Sequence, residues 1–372
     1  MTDGDPTRPG SDAERRPTPS AETAAPARRQ RDPFLDNARG LLITLVVVGH
    51  TLECFDGKNV FLGGAIHTWI YSFHMAAFVA ISGFLSRSYR NEPRQVRRML
   101  TSMAVPFLIF QVLHEFGRML LLGQEFHLQL ITAAWTLWFL LALLMWRLVT
   151  PVLRVLRYPL VFAVAIAVIV PLDADLDSTF TLGRFFSMLP FFVLGLVTTP
   201  ERLEKLKAMP HRWIGAVVLV LVLAVSFATH ERFSVAIFFL RSNYDNGPYG
   251  TATSIVMQLL VLAAGMIGTV AFLLVTPRGQ TIWTALGTRS LTIYLLHPLV
   301  LLPFRYAEEP FAWAESWWAP IPVVLIGLAI TAVLSRGIVA TATRWVTDPP
   351  IGNLFVRPDQ PDQQAPARRV GT

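Results

Sequence analysis

The sequence predicts an all-α polytopic membrane bundle of about ten transmembrane helices with both termini cytoplasmic, and three observations carry that prediction. The 372-residue chain is 53% hydrophobic with a mean hydropathy of +0.47, and only 15% of it is charged. That balance is too apolar for a water-soluble domain. The apolar residues gather into runs of about 17–25, the length of helix that spans about 30 Å of hydrocarbon. A transmembrane barrel would instead need short alternating segments. The third observation is the distribution of basic residues along the chain.

In order, the runs fall at about 38–55, 66–86, 99–122, 130–149, 158–172, 183–199, 212–229, 252–276, 282–303 and 319–343. The fifth is the weakest, because it is short and ends at Pro171 before Asp173, Asp175 and Asp177, which need water. With the N-terminus inside, the cytoplasmic loops and both tails hold 25 of the 32 Lys and Arg, and the opposite side holds Lys58, Arg232, Arg241 and Arg305. Arg39, Arg118 and Arg184 fall within or at the ends of spans. That asymmetry sets both termini in the cytoplasm of a cell whose inner (plasma) membrane holds the protein. Residues 1–33 and 347–372, rich in Pro, Ala, Arg and Asp, read as disordered cytoplasmic tails around a membrane domain at 34–346.

The net charge of +7 is what cytoplasmic loops loaded with Lys and Arg produce, so nucleic acid is not an expected partner. The single cysteine, Cys54, allows no internal disulfide and no Cys-rich metal site. No Walker-type or dinucleotide glycine motif is present, no internal repeat is visible, and no bound cofactor is expected.

Ionisable side chains at bilayer depth are costly, so those within spans are the functional candidates. The first span reads Asp36-Asn37-Ala38-Arg39, then ten residues, then His50, with Glu53 three further on. Eleven positions bring Arg39 and His50 to within about 20° of one helix face and about 16 Å apart along the axis. Arg39, beside Asp36, suits the phosphates of an anionic donor entering from the cytoplasm. His50 suits proton removal from an acceptor hydroxyl, with Glu53 orienting its ring. His74, Glu115 with Arg118, Arg184 and His297 fall at a similar depth on other spans, as a buried polar pocket requires. Glu115 and Arg118, three apart, equally suit an ion pair within their own helix. The five arginines from Arg87 to Arg98, Arg90 among them, suit either topology or a landing surface for a polyphosphate such as coenzyme A. The loop Ser242-Asn243-Tyr244-Asp245-Asn246-Gly247-Pro248-Tyr249 has a sugar-contacting composition that also fits an ordinary turn.

Six ordered blocks resemble the acyltransferase-3 family of integral membrane acyltransferases, in particular its branch similar to fucose 4-O-acetylases. They are Leu35-Asp36-Asn37-Ala38-Arg39 with His50; Phe73-His74-Met75 leading to Ile81-Ser82-Gly83-Phe84-Leu85; and Pro106-Phe107-Leu108-Ile109-Phe110-Gln111. Leu137-Trp138-Phe139-Leu140-Leu141, Arg184-Phe185-Phe186 with Pro190-Phe191-Phe192, and Tyr294-Leu295-Leu296-His297 follow. The resemblance covers about residues 32–303 and implies a ten-helix bundle that moves acetyl or a similar group from acyl-coenzyme A to a carbohydrate hydroxyl. It implies catalysis by His50, as general base on the acceptor hydroxyl or as a transient acyl carrier, and donor contact by Arg39, while Arg87, Arg90 and Arg98 match the family's arginines only loosely. Trp138 falls in its fourth block. Some relatives carry a fused extracytoplasmic hydrolase-like domain; none is expected here, so the chain acts on its acceptor directly or with a partner. A transporter of an anionic or sugar-linked solute is the competing class, though the repeats such folds usually show are not visible.

Overall fold

The computed structural model describes residues 31–55, 59–130, 132–173, 181–240, 244, 250–307, 313 and 316–350. The 242–249 loop (except Tyr244), Asp175, Asp177, Lys58, Arg241 and most of both expected tails lie outside the described residues. From Pro33 onward the described body is helical. Its elements are α1 (Pro33–Cys54), α2 (Phe61–Leu85), α3 (Pro93–Met99), a π-helical segment (Leu100–Ala104), α4 (Val105–Leu122) and a 3₁₀ turn (Trp135–Leu137). There follow α5 (Trp138–Val155), α6 (Pro159–Ile169), α7 (Leu182–Ser187), α8 (Leu189–Val197), α9 (Pro200–Ala208), α10 (Arg212–Thr229) and α11 (Thr251–Val275). The chain continues through α12 (Ile282–Thr288), α13 (Ser290–Arg305), α14 (Pro320–Leu334), α15 (Gly337–Ala342) and α16 (Arg344–Thr347).

Among the described residues, five helical stretches are long and apolar enough to cross a bilayer: Phe61–Leu85, Pro93–Leu122, Trp135–Val155, Arg212–Thr229 and Thr251–Val275. Counting the bent pair α12–α13 makes six, and Pro159–Leu172 and Pro320–Leu334 are shorter apolar helices. The outward faces of α6, α10 and α11 are apolar, with Val161, Val220, Leu221, Leu260 and Ile267 exposed, as hydrocarbon contact demands.

Small residues let the helices close, since lipid tails give no hydrophobic drive for association and packing must supply it. A Cβ on Gly83 of α2 would overlap the Phe192 carbonyl of α8, and one on Gly195 of α8 would overlap the Ala80 carbonyl of α2. These reciprocal contacts hold α2 against α8 backbone to backbone. Gly265 and Gly268 bring α11 onto Phe191 and Phe73 in the same way.

α1 is buried among α2, α12, α13 and α14. Gly40 lies under the Trp283 carbonyl, and Gly287 under the Asp36 carbonyl, so α1 and α12 meet without side chains between them. Asn37, fully buried, locks this contact. Its Nδ2 donates to the carbonyls of Pro277 (2.9 Å) and Gly279 (2.6 Å), and its Oδ1 accepts from the hydroxyls of Thr281 (2.8 Å) and Thr284 (2.6 Å). The same two threonines form the capping box that starts α12. One amide therefore holds the start of α1, where Asp36 and Arg39 lie, against the start of the bent pair.

The ninth expected span is not one straight helix but α12 and α13, meeting at 78°. The sixth is broken between α7 and α8 at Met188. The fourth begins at Trp135 rather than near 130, because residues 123–130 and 132–134 are irregular: Gly123 in the left-handed conformation (φ 61°) ends α4, and Gln111 captures the loop that follows.

Candidate active site

α1 carries four of the expected residues on one stripe. Asp36 and Arg39 form an ion pair near its start, Asp36 buried and Arg39 partly exposed, and the Arg39 Nε is buried without a partner among the described residues. Three turns on, His50 and Glu53 face α2. Glu53 Oε2 lies 3.4 Å from His50 Nδ1, while Oε1 lies 3.2 Å from His67 Nε2 and accepts from the Tyr71 hydroxyl at 3.0 Å. The Tyr71 oxygen is also 3.3 Å from His50 Nδ1.

These bonds choose the tautomer of His50. Tyr71 has one proton, and it goes to the carboxylate; the carboxylate accepts only. Both neighbours of His50 Nδ1 therefore present lone pairs, and Nδ1 carries the proton that bridges toward them. Nε2 is left as the basic nitrogen, with no hydrogen bond among the described residues. Glu53 thus orients the ring and is placed to stabilise a positive charge on it, which is the arrangement a general base requires.

His297 on α13 stacks on His50 with ring centroids 5.5 Å apart and planes 23° off parallel. Trp135 meets the His50 ring edge-on at 5.1 Å. A small cavity beside them, about 20 Å³, is lined by Val46, His50, Met75, Phe78, Thr136, Trp138, Phe139 and Tyr294. His50, Thr136 and Tyr294 are the polar members of this otherwise apolar lining. Cations frame the aromatic wall: Arg184 lies 4.6 Å above the Trp138 ring and Arg305 4.4 Å above that of Trp135.

The short turn carrying Trp135 is held by two side chains, Gln111 and Tyr294. Gln111 Oε1 accepts from the Ala134 N–H at 2.9 Å, while its Nε2 donates to the carbonyls of Gln129 and Thr132. The Tyr294 hydroxyl donates to the Thr136 carbonyl at 2.5 Å and accepts from the Leu140 N–H. Trp135 itself has φ +30°, a costly conformation for a bulky residue, worth about 1–3 kcal/mol and sustained only when its surroundings over-determine it. That strain is spent where the indole meets His50.

The other expected residues divide. Trp138 lines the cavity beside His50, His297 stacks on the His50 ring, and Arg184 lies over the Trp138 ring. His74 is one shell out: its Nδ1–H donates to the Ile70 carbonyl at 2.7 Å and its ring packs edge-on against Tyr71. Glu115 and Arg118 pair with each other at 3.2 Å, and Arg118 reaches Gln124 at 3.3 Å, the within-helix pair their spacing also allowed. Arg87 stacks on Phe84 and donates to the carbonyls of Phe84 and Thr198. Arg90 and Arg98 are exposed. Beside them Arg147 of α5 turns inward to the Ser86 hydroxyl and the Met103 sulfur, the latter on the π-helical segment.

His67, Tyr71, Trp135 and Tyr294 were not among the expected site residues. The signal for the first two is helical: His67, Tyr71 and His74 stand at i, i+4 and i+7, one stripe of α2 facing α1. Trp135 had no local signal and Tyr294 stood only as the first residue of the sixth block, since the turn they build is defined by contacts between distant segments.

An all-helical described body with apolar helices of bilayer length around a partly buried histidine–carboxylate group defines a multi-pass membrane protein. The family model for the acyltransferase-3 family, described as an acyltransferase domain, matches residues 32–338, and the chain belongs to that family of membrane acyltransferases. It is similar to nodulation protein NolL of Mesorhizobium japonicum, 47% identical over 58 residues, or 15% of this chain and 16% of that protein. It is also similar to nodulation protein NolL of Sinorhizobium fredii, 33% identical over 128 residues, or 31% of this chain and 34% of the relative. The matched stretches thus span about a sixth and a third of those relatives. No solved structure matches the chain.

Proposed function

We propose that this chain is an O-acyltransferase of the inner membrane, with about ten crossings and both termini cytoplasmic. It moves an acyl group, acetyl by resemblance to the fucose 4-O-acetylase branch, from acyl-coenzyme A to a carbohydrate hydroxyl. The observation that carries the reading is the His50 geometry: Nδ1–H committed toward Glu53 and Tyr71, and Nε2 left basic at the edge of an apolar chamber.

In this reading the donor's phosphates meet Arg39, released from Asp36, with Arg87, Arg90 and Arg98 adding attraction at the cytoplasmic surface. The pantetheine arm follows the α1 stripe for the roughly 16 Å to His50. His50 Nε2 takes the proton of the acceptor O–H as its oxygen bonds to the thioester carbonyl carbon. The carbon–sulfur bond then breaks, and the imidazolium returns the proton to the departing sulfur. The ester and free coenzyme A thiol leave, and His50 is neutral again. Glu53, backed by His67 and Tyr71, stabilises the imidazolium between those two events. His297 and Trp135 hold the ring in plane.

The test is release of coenzyme A thiol from acetyl-coenzyme A by the detergent-purified chain, with and without glycans. The expected result is glycan-dependent release in the wild type that His50→Ala abolishes. Release that His50→Ala leaves intact overturns the assignment.

A further inference from the structure

Several arginines of the helical body are spent on helix ends. Arg212 donates to the carbonyls of Leu274, Val275 and Thr276, Arg278 to that of Met209, and Arg289 to that of Ser335. These carbonyls close α11, α9 and α14, where no helical N–H is left to bond them, so the three guanidiniums serve the fold. Two more are paired with acids of their own helix, Arg39 with Asp36 and Arg118 with Glu115.

Arg147 of α5 does neither. Partly buried, it gives Nε to the Ser86 hydroxyl at 3.3 Å and Nη1 to the Met103 sulfur at 3.1 Å. Neither a carboxylate nor a carbonyl takes its remaining donors among the described residues. A guanidinium has five N–H donors, and a thioether sulfur is a weak acceptor. A charge drawn out of water is stable when an opposite charge pairs it, and here that anion is wanting.

The surroundings of Arg147 are built rather than loose. In the turn after α2, the Arg90 N–H donates to Gln95 Oε1 at 2.7 Å and Gln95 Nε2 to the Ser88 carbonyl at 3.1 Å. Asn91, left-handed at φ 58°, donates from Nδ2 to the Leu148 carbonyl of α5 at 3.1 Å, next to Arg147. Met103 stands on the π-helical turn, a rare geometry that is frequent at functional sites. The stretch 87–98 adds five arginines against one acid, Glu92, with Arg90 and Arg98 exposed.

The level of Arg147 in the bundle matches that of Arg39. α1 and α2 run antiparallel: His50 lies beside Tyr71, and Ala38 and Leu42 share a cluster with Ala77 and Ile81. Eleven residues back along α1 and eleven forward along α2 bring Arg39 about level with Ser82, roughly one turn short of Ser86. On α5, Phe139 lines the cavity beside His50, and Arg147 follows eight residues later, about 12 Å along the axis. Arg39 stands about 16 Å from His50, so two cations at one end of the bundle lie at comparable distances from the base.

Resting on the transferase reading, we propose that Arg147 is a second donor-binding residue, which takes the 3′-phosphate of acyl-coenzyme A while Arg39 meets the pyrophosphate. The pyrophosphate carries the pantetheine arm and belongs at the head of the α1 stripe that leads to His50. The 3′-phosphate hangs from the far side of the nucleotide and, as a monoester, carries close to two charges at neutral pH. It asks for a second cation at the same level but off that stripe. Arg147 supplies charge-assisted N–H donors, and Arg90 and Arg98 add attraction from the surface.

The experiment measures the Kd of coenzyme A and of dephospho-coenzyme A, which lacks only the 3′-phosphate, by isothermal titration of the detergent-purified full chain. The wild type is expected to bind coenzyme A about tenfold more tightly, the worth of one charge-assisted contact. Arg147→Gln is expected to bind both ligands as the wild type binds dephospho-coenzyme A, and Arg147→Lys to keep part of the preference. Arg39→Ala is expected to weaken both ligands and keep the preference. A wild type that binds the two ligands equally, or an Arg147→Gln variant that keeps the tenfold preference, overturns the subsite and leaves the transferase reading standing. A preference present in phosphatidylcholine nanodiscs and lost in phosphatidylglycerol ones overturns it too, since lipid headgroups then hold Arg147. A wild type that binds neither ligand contradicts the transferase reading along with the subsite.

Discussion

Replacing Glu53 by Gln isolates the electrostatic part of the His50 arrangement, because the side chain keeps its shape and loses its charge. In the wild type the carboxylate accepts from Tyr71 at 3.0 Å, stands 3.2 Å from His67, and faces His50 Nδ1 at 3.4 Å. When His50 becomes charged, a unit pair about 4 Å apart at an effective dielectric near 20 interacts by about 4 kcal/mol. An amide retains part of that as a neutral hydrogen bond but carries no charge to set against the imidazolium. The net loss is about 2–4 kcal/mol of transition-state stabilisation, or roughly 10²–10³ in turnover. The assay is thiol release from acetyl-coenzyme A under saturating donor, with His50→Ala as the floor and a melting curve in the same detergent as the control for folding. The acetyl-coenzyme A KM is expected to stay within about threefold, since Glu53 lies about four turns from Arg39. Turnover within threefold of wild type, in a variant that melts normally, would refute the reasoning that Glu53 stabilises the charged ring.

Arg39→Ala is expected to raise the acetyl-coenzyme A KM about 10–100-fold with a smaller change in turnover, read from initial rates across donor concentration, because a charge-assisted phosphate contact is lost. Asn37→Leu removes four hydrogen bonds between α1 and the start of α12, strands two carbonyls, and lowers stability by about 2–4 kcal/mol, measured by chemical or thermal unfolding in detergent. Tyr294→Phe frees the Thr136 carbonyl and the Leu140 N–H; turnover falls about tenfold at unchanged donor KM as the Trp135 turn loosens, checked by the same rate assay. Gly195→Val drives a side chain into the Ala80 carbonyl and forces α8 off α2, so the folded fraction on size exclusion drops sharply.

Much of this was legible along the sequence because helices in lipid advertise themselves: an apolar run of sufficient length needs no tertiary information to be a helix. The stripe of Asp36, Arg39, His50 and Glu53 was legible for the same reason, since a helix period is enough to place them. What failed was whatever distant segments decide together. The bend between α12 and α13 lies beside the capping box and Asn37, a residue more than 240 positions away in the chain. The late start of α5 depends on Gln111 capturing a loop whose own residues carry little signal. Among the histidines of α2, depth favoured His74, whereas the side chain bonded to Glu53 is His67 and His74 turns to its own helix carbonyl. Depth along a helix places a residue in a layer; only packing decides which face of that layer meets the base.

The central claim is that His50 mediates acyl transfer to a sugar hydroxyl, and it is tested most directly by following the acyl group itself. The full chain, reconstituted in vesicles, would be given [¹⁴C]acetyl-coenzyme A and a glycan acceptor, and the glycan isolated. The account predicts an alkali-labile acetyl ester on the glycan, formed in step with thiol release and absent with His50→Ala. Radiolabel that accumulates unaltered across the vesicle membrane, with no ester on the glycan, would contradict it and make the protein a carrier.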